Sequence, residues 1–308
     1  IVLDNTGPKI INVTSTKPDG VYTVGDTIPI IVEFDDKIII TRLDARLALI
    51  TNPAESPRLI SYSAKLDSHQ MLFNYIPGTN QALIGTDNTP LLMYDDQTTL
   101  LGANNDGIAD AIGNVSATTL PKSGGPGSLS YNKKISIDTL PPVVSFSVDD
   151  TTSKILPSDM IYVTFNEYVR LLDDSELTDT NVDALITLQD ATSLENISFD
   201  ATVNANKTQI TIDPTLDFTS SQKINLILSA SLEDSLDQAI NEVATTFTVK
   251  DIVPPIASII PANGSQNIPT NLNISIMFSE PIRHKDNRVI NANDVTSGLI
   301  VLKSNDAN

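Results

Sequence analysis

The sequence predicts an all-β protein built from tandem antiparallel β-sandwiches. Three observations carry that expectation. Apolar and polar residues alternate with period two in many short runs. Clusters of turn-forming residues separate those runs. A set of motifs recurs at a constant spacing of 113 residues.

The alternating runs, in chain order, are Ile28/Ile30/Val32/Phe34, Met71/Phe73/Tyr75, Ile161/Val163/Phe165, Ile210/Ile212, Ile224/Leu226/Leu228, Phe247/Val249 and Ile274/Ile276/Phe278. Each places its apolar residues on one face of a strand. Pro18-Asp-Gly20, Pro77-Gly78, Asn105-Asp-Gly107, Gly124-Gly-Pro-Gly127 and Asn263-Gly264 supply turns. Only Asp173–Leu177 and Ser231–Leu236 read as short helical stretches. A parallel α/β sheet needs crossover connections of a dozen or more residues, and none is visible.

The repeat sets the domain boundaries. Asp138-Thr-Leu-Pro-Pro142 recurs as Asp251-Ile-Val-Pro-Pro255, with a looser version at Asp4-Asn-Thr-Gly-Pro8. Phe165-Asn-Glu167 and Phe278-Ser-Glu280 each begin 27 residues after their Asp, and Val182 and Val295 each lie 44 after it. Phe34-Asp-Asp36 follows Asp4 at an offset of 30. Residues 1–3 therefore read as the last strand of a preceding domain. Residues 4–137 read as a sandwich with a longer loop region between Ile84 and Leu129, 138–250 as a second sandwich, and 251–308 as the first half of a third. On this reading the chain is an internal piece of a longer protein. The proline pairs make stiff junctions, because proline fixes its own φ and biases its predecessor to extended geometry.

Composition excludes several function classes. The 308 residues carry 38 acids against 19 bases, for a formal charge of -19, with 40% hydrophobic residues, two His and neither Cys nor Trp. Without Cys there is no disulfide framework, Cys-ligated zinc, iron–sulfur cluster or thiol nucleophile. Such a charge argues against binding a nucleic-acid backbone or an anionic membrane. No apolar run approaches the roughly 20 residues that span a bilayer. The sequence holds no Gly-x-Ser-x-Gly elbow, phosphate-binding Gly-rich loop or His-Glu-x-x-His, so no enzyme activity is expected. His69 and His284 read as solvated surface residues.

The motifs together resemble a known family. Asp138–Pro142, Phe165-Asn-Glu167, Thr208–Pro214, Lys223–Leu228, Asp234-Ser-Leu-Asp-Gln238 and Thr246–Val249 look like the bacterial Ig-like domain found in tandem in S-layer proteins and large surface adhesins. Residues from 251 on match its first half through Ile259–Gly264 and Phe278-Ser-Glu-Pro281. The first domain is similar to a related adhesin repeat through Tyr22–Asp26 and Asp110-Ala-Ile-Gly-Asn114. The resemblance implies tandem Ig-like sandwiches arranged as an extended rod, extracellular, at the cell surface or envelope. The Cys…Trp…Cys core of antibody domains is absent, so the relation is architectural. The usual Asp-x-x-Gly-Asn turn is replaced by Asp234-Ser-Leu-Asp237-Gln238 in the second domain.

Sandwich topology gives the acids a meaning. The second strand of each unit returns to the pole where the first began, so Glu167 is expected near Asp138, Glu280 near Asp251 and Asp36 near Asp4. The loop before the last strand reaches the same pole, carrying Asp234 and Asp237 in the second domain and Asp106 and Asp110 in the first. Oxygen clusters of this kind suit calcium, which takes six to eight oxygen ligands. The alternative is that these acids are solvated or cap turns. Asn104–Asp110 is not a full EF-hand loop, since Gly102 and Gly113 stand where acids belong.

Asn-x-Ser/Thr sequons begin at Asn12, Asn114, Asn196, Asn206, Asn263 and Asn273. Asn12, Asn114, Asn206 and Asn263 are the candidate glycosylation sites, the last three in apparent turns. The function expected is a structural segment of a large surface protein, an S-layer subunit or stalk, with copies of itself, other envelope proteins or glycans as partners. Stalk repeats of an adhesin and accessory modules of a secreted enzyme are the alternatives.

Overall fold

A computed structural model of the chain describes residues 4–78, 87–95, 100, 107–150 and 155–301. It is an all-β structure of antiparallel sandwiches. The first unit holds β1 (Ile10–Ser15), β2 (Gly20–Tyr22), β3 (Ile28–Phe34), β4 (Ile39–Ile40), β5 (Arg46–Ile50), β6 (Arg58–Ser61), β7 (Ala64–Lys65), β8 (Gln70–Tyr75), β9 (Met93–Tyr94), β10 (Ile108–Ala109) and β11 (Ile135–Ile137). One sheet has the order β1-β3-β8-β7 and the other β6-β5-β9. Strand β11 runs parallel to β2 and is tied to the segment before β9 by Leu92 N–H to Ile135 O at 2.7 Å.

The second unit holds β12 (Val144–Phe146), β13 (Ile161–Phe165), β14 (Arg170–Leu171), β15 (Ile186–Asp190), β16 (Phe199–Val203), β17 (Gln209–Pro214), β18 (Lys223–Leu228), β19 (Leu232–Glu233) and β20 (Val243–Thr248). Its sheets run β12-β13-β17-β16 and β15-β18-β20. Setting aside the two-residue strands β14 and β19 and lettering the other seven A to G gives A-B-E-D against C-F-G, the strand order of a constant-type immunoglobulin domain. Strands β21 (Ala257–Ile260) and β22 (Ser275–Phe278) form an antiparallel pair equivalent to A and B.

Two apolar clusters fill the sandwiches, one within Ile10–Ile137 and one within Val148–Val249. The alternation places them. In β13 the pattern is buried, exposed, buried, exposed, buried, so Ile161, Val163 and Phe165 face inward. In β3 Ile28, Ile30, Val32 and Phe34 do the same. The two stretches read from sequence as helical are not helices. Asp173–Leu177 is a turn, and Leu232–Glu233 within the other pairs with Arg170–Leu171. The described helices are single turns at Leu129–Asn132, Val182–Leu185, Ala292–Asp294 and Val295–Leu299.

The 113-residue register survives in hydrogen bonds. Val144 pairs with Phe165, and Ala257 with Phe278. The residue after each of these Phe residues joins back to the chain just before the opening strand. Asn166 Oδ1 accepts from Val143 N–H at 2.6 Å, and Ser279 Oγ from Ile256 N–H at 2.9 Å. Asp35 Oδ1 accepts from Lys9 N–H at 2.7 Å in the first unit, so the 30-residue offset there preserves the same contact.

Gly7 takes the place of the first proline of the repeat because the backbone beside it leaves no room. A Cβ there would lie 1.8 Å from the carbonyl oxygen of Val115. Gly7→Ala is expected to destabilise the first unit by about 1–3 kcal/mol, as overpacking does, read as a lower urea midpoint with the second unit's transition unmoved.

Candidate functional site: an acidic pole beside the unit junction

Each unit opens with an Asp whose carboxylate caps the next turn. Asp4, Asp138 and Asp251 each accept through Oδ1 from the N–H two residues on, at 3.1, 3.2 and 3.0 Å. Such a local bond holds the chain in a turn rather than a strand. The second and third of these Asp residues also take a bond from the unit before them. Asn88 Nδ2 donates to Asp138 Oδ1 at 3.2 Å, and Ser220 Oγ donates to Asp251 Oδ1 at 2.8 Å. The first junction is further held by Thr139 Oγ1 donating to Asp87 O at 2.7 Å.

The loop before the last strand closes onto the same place. Asp234 is buried, and its Oδ1 accepts from Leu236 N–H at 2.7 Å and Gln238 N–H at 2.9 Å. Gln238 Nε2 bridges Asp234 Oδ2 at 3.1 Å and Asp138 O at 3.2 Å. The first unit repeats this arrangement. Asp110 Oδ1 accepts from Ile112 and Asn114 N–H, both at 2.9 Å. Asn114 Nδ2 reaches Asp110 Oδ2 at 2.7 Å and Asp4 O at 3.4 Å. Gly113 sits at φ 93° and Asp237 at φ 63°. The second unit therefore reaches the left-handed conformation with Asp and the bridge with a longer amide, keeping the geometry of Asp-x-x-Gly-Asn.

At this pole of the second unit three carboxylates converge. Oxygens of Asp138, Glu167 and Asp234 lie within 4.8 Å of one another. Asp138 and Glu167 are half-buried, Asp234 is fully so, and none of the three forms an ion pair with a described Lys, Arg or His. Burial, the Asp138 charge and the Asp234 charge together push the Glu167 carboxyl above its ordinary range, against a weak bond from Asn166. Burial and the Asp234 charge raise Asp138 too, although the Leu140 N–H opposes them. Like charges held close without a counterion favour the neutral form. Oxygens spaced this way leave room for a cation about 2.3–2.6 Å from each, the calcium–oxygen distance.

The other predicted positions fall out differently. Asp251 and Glu280 are neighbours. Burial, the Asp251 charge and a hydrogen bond with Asp251 raise Glu280, while bonds from Ser220 and Val253 hold Asp251 low. Asp4 and Asp36 do not join a cluster among the described residues. Asp4 turns to Thr6, and Asp36 Oδ1 accepts from Lys37 N–H at 2.7 Å. Asp110 belongs to its turn. Burial pushes it up, but bonds from Asn114, Ile112 and Gly113 outweigh burial and hold it below the usual range. Asp106 lies outside the described residues.

Sequence reasoning missed a second convergence, Asp174, Glu233 and Asp237, and it is here, not with Asp138 and Asp234 at the pole, that Asp237 falls. Its centre is taken by a guanidinium. Arg170 pairs with Asp174 at 2.5 Å, with Glu233 at 3.2 Å and with Asp237. The signal for it was the pairing of β14 with β19, which no single-chain pattern reveals. Of the candidate sequons, Asn206 and Asn263 are exposed in turns. Asn12 lies in β1 and bonds Glu33 and Asn132, and Asn114 is committed to its bridge.

Comparisons with known proteins add little to this picture. No known family profile matches the chain, and no curated protein does. Among solved structures, the N-terminal part of the bacterial S-layer protein SbsC is similar over 39% of this chain and 26% of that one, with 16% identity and a TM-score of 0.28. CopC from Methylosinus trichosporium OB3b is similar over 37% of this chain and 95% of its own, with 18% identity and a TM-score of 0.25. A titin A168–A169 structure is covered in full by 80% of this chain, with 9% identity and a TM-score of 0.24. The chain thus spans about a quarter of the S-layer structure it matches. At these TM-scores the Ig-like assignment rests on strand order alone.

Proposed function

We propose that this chain is a structural segment of a large cell-surface protein, an S-layer subunit or stalk, in which tandem Ig-like units are joined at acidic poles that take up calcium. The observation that carries the reading is the convergence of Asp138, Glu167 and Asp234, buried or half-buried and without a paired base among the described residues, beside a junction that Asn88 and Thr139 already tie together. A role as spacer fits a chain whose described residues are sandwich and turn, and no described helix is long and apolar enough to cross a membrane. The cation lowers the repulsion among the three acids and adds bonds across Asp138, the residue both units share. Catalysis is not part of this reading.

Calcium binding to the folded state alone raises stability by RT ln(1 + [L]/Kd), about 2.7 kcal/mol at a hundredfold excess over Kd. The second unit is therefore expected to melt several degrees higher in millimolar calcium than in chelator. Small-angle scattering in the same two buffers should give a narrower distribution of maximum dimension with calcium. Identical melting and scattering curves in both buffers would contradict the reading.

A further inference from the structure

Strand β16 is an edge of the second unit. It pairs with β17 on one side, and no described strand lies on the other. Along an edge strand alternate residues turn their backbone groups away from the sheet, and a row of such free groups is a template for another strand. Here two successive outward donors are taken. Ala201 N–H donates to Asp183 Oδ1 at 2.9 Å, and Val203 N–H donates to Asp179 Oδ1 at 2.8 Å. The partners are 18 and 24 residues apart in the chain, so these are contacts of the fold and not local turns. The segment that carries both carboxylates is itself fixed. Leu177 and Val182 are fully buried in the core of the unit, Thr178 N–H donates to Asn181 Oδ1 at 2.8 Å, and Asn181 Nδ2 donates to Glu176 O at 3.0 Å. The edges of the facing sheet are met by backbone instead. Ile197 N–H donates to Leu188 O and Asp190 N–H to Glu195 O beside β15, and Lys250 N–H donates to Ile155 O just past β20.

We propose that Asp179 and Asp183 lock this edge, keeping the second unit from pairing strand to strand with a second copy of the chain across β16. The strand needs such a lock. Phe199–Val203 holds an unbroken antiparallel register with β17 and has neither a proline nor a bulge to spoil pairing. The lock suits the task. A carboxylate is a stronger acceptor for a backbone N–H than the neutral carbonyl of an incoming strand, and the buried Leu177 and Val182 hold both carboxylates over the edge. The exposed charge of Asp200 on the same strand works in the same direction. A second copy is the partner excluded, because an edge paired antiparallel with its own copy satisfies both at once about a two-fold axis. The inference is independent of the cation and of the proposed role at the cell surface. Where copies of the chain gather, β16 is a surface through which they do not join.

The test compares the 308-residue wild type with two double variants. Asp179→Ala/Asp183→Ala opens the edge, whereas Asp179→Asn/Asp183→Asn removes both charges and keeps both acceptor oxygens. Each protein is followed over a concentration series by size-exclusion chromatography with light scattering and by hydrogen exchange. In dilute solution the Ala201 and Val203 amides are expected to exchange about 10- to 100-fold faster in the alanine variant than in the wild type, the worth of a hydrogen bond to a charged acceptor. On concentration the alanine variant is expected to rise in mass above the wild type while those two amides regain protection, and the asparagine variant keeps the wild-type mass. An alanine variant with the wild-type mass at every concentration overturns the proposal. So does an asparagine variant that associates as strongly, which assigns the effect to charge alone, and so does association that leaves Ala201 and Val203 exchanging fast. Loss of the second unit's urea transition in the alanine variant moves the comparison to Asp179→Ala, which frees the Val203 donor alone. The wild type gives a reading that needs no variant, since Ala201 and Val203 amides exchanging there at the rate of free, solvent-exposed amides would mean that the edge is not locked.

Discussion

Asp234→Ala is expected to cost the second unit about 2–4 kcal/mol, because three donors lose a charged acceptor inside a buried turn. Those donors are Leu236 N–H, Gln238 N–H and Gln238 Nε2. The loss extends to the junction, since Gln238 Nε2 also holds Asp138 O and its orientation depends on Asp234 Oδ2. Asp234→Asn keeps an acceptor oxygen for the two backbone donors and is expected to lose about half as much. The first unit has its own core and serves as an internal control in the same urea titration. A shift below about 0.5 kcal/mol for the alanine variant, the size of an ordinary surface change, would mean that the turn is held by something other than this carboxylate.

Glu167→Gln works in the opposite direction. Glu167 accepts only a weak 3.4 Å bond from Asn166, so the turn does not depend on it, and its charge faces those of Asp138 and Asp234. Without a cation, removing that charge is expected to raise the melting temperature of the second unit by a few degrees. The pH dependence follows from the raised carboxyls. A folded-state pKa above the unfolded value means that the native state binds more protons, so stability is fully present below the unfolded pKa and is lost as pH rises through the folded one. The wild type should therefore lose stability relative to Glu167→Gln as pH rises from about 4 through the raised pKa of Glu167, with the two curves running parallel above it. Taking the difference removes carboxyls such as Asp190 and Asp173, which hydrogen bonds hold low and which act with the opposite sign. A constant difference across that window would show that Glu167 does not feel its neighbours.

Much of this fold is legible in the sequence because strand period and turn chemistry are local signals. Ile161/Val163/Phe165 and Ile28 to Phe34 announce their buried faces without help from the rest of the chain. The placement of Glu167 and Asp234 beside Asp138 is legible at one remove, since sandwich topology fixes which strand ends share a pole. Partners that depend on rotamers are not legible. Asp36 occupies the position equivalent to Glu167 but turns to its neighbour's N–H, and Asp110 spends its charge on Asn114. The Arg170 centre arises from two short strands whose pairing has no periodic signature. Ser231–Leu236 misled because its spacing mimics a helical turn, while Leu232 and Glu233 pair instead with Leu171 and Arg170.

The most direct test of the acidic pole is a calcium titration of the 308-residue chain by isothermal calorimetry, run beside Glu167→Gln at neutral pH. The account predicts a saturable heat for the wild type, matched by a rise in the second unit's melting temperature, with both absent or at least tenfold weaker in the variant. Binding of equal strength in the two proteins, or no heat in either, would contradict it.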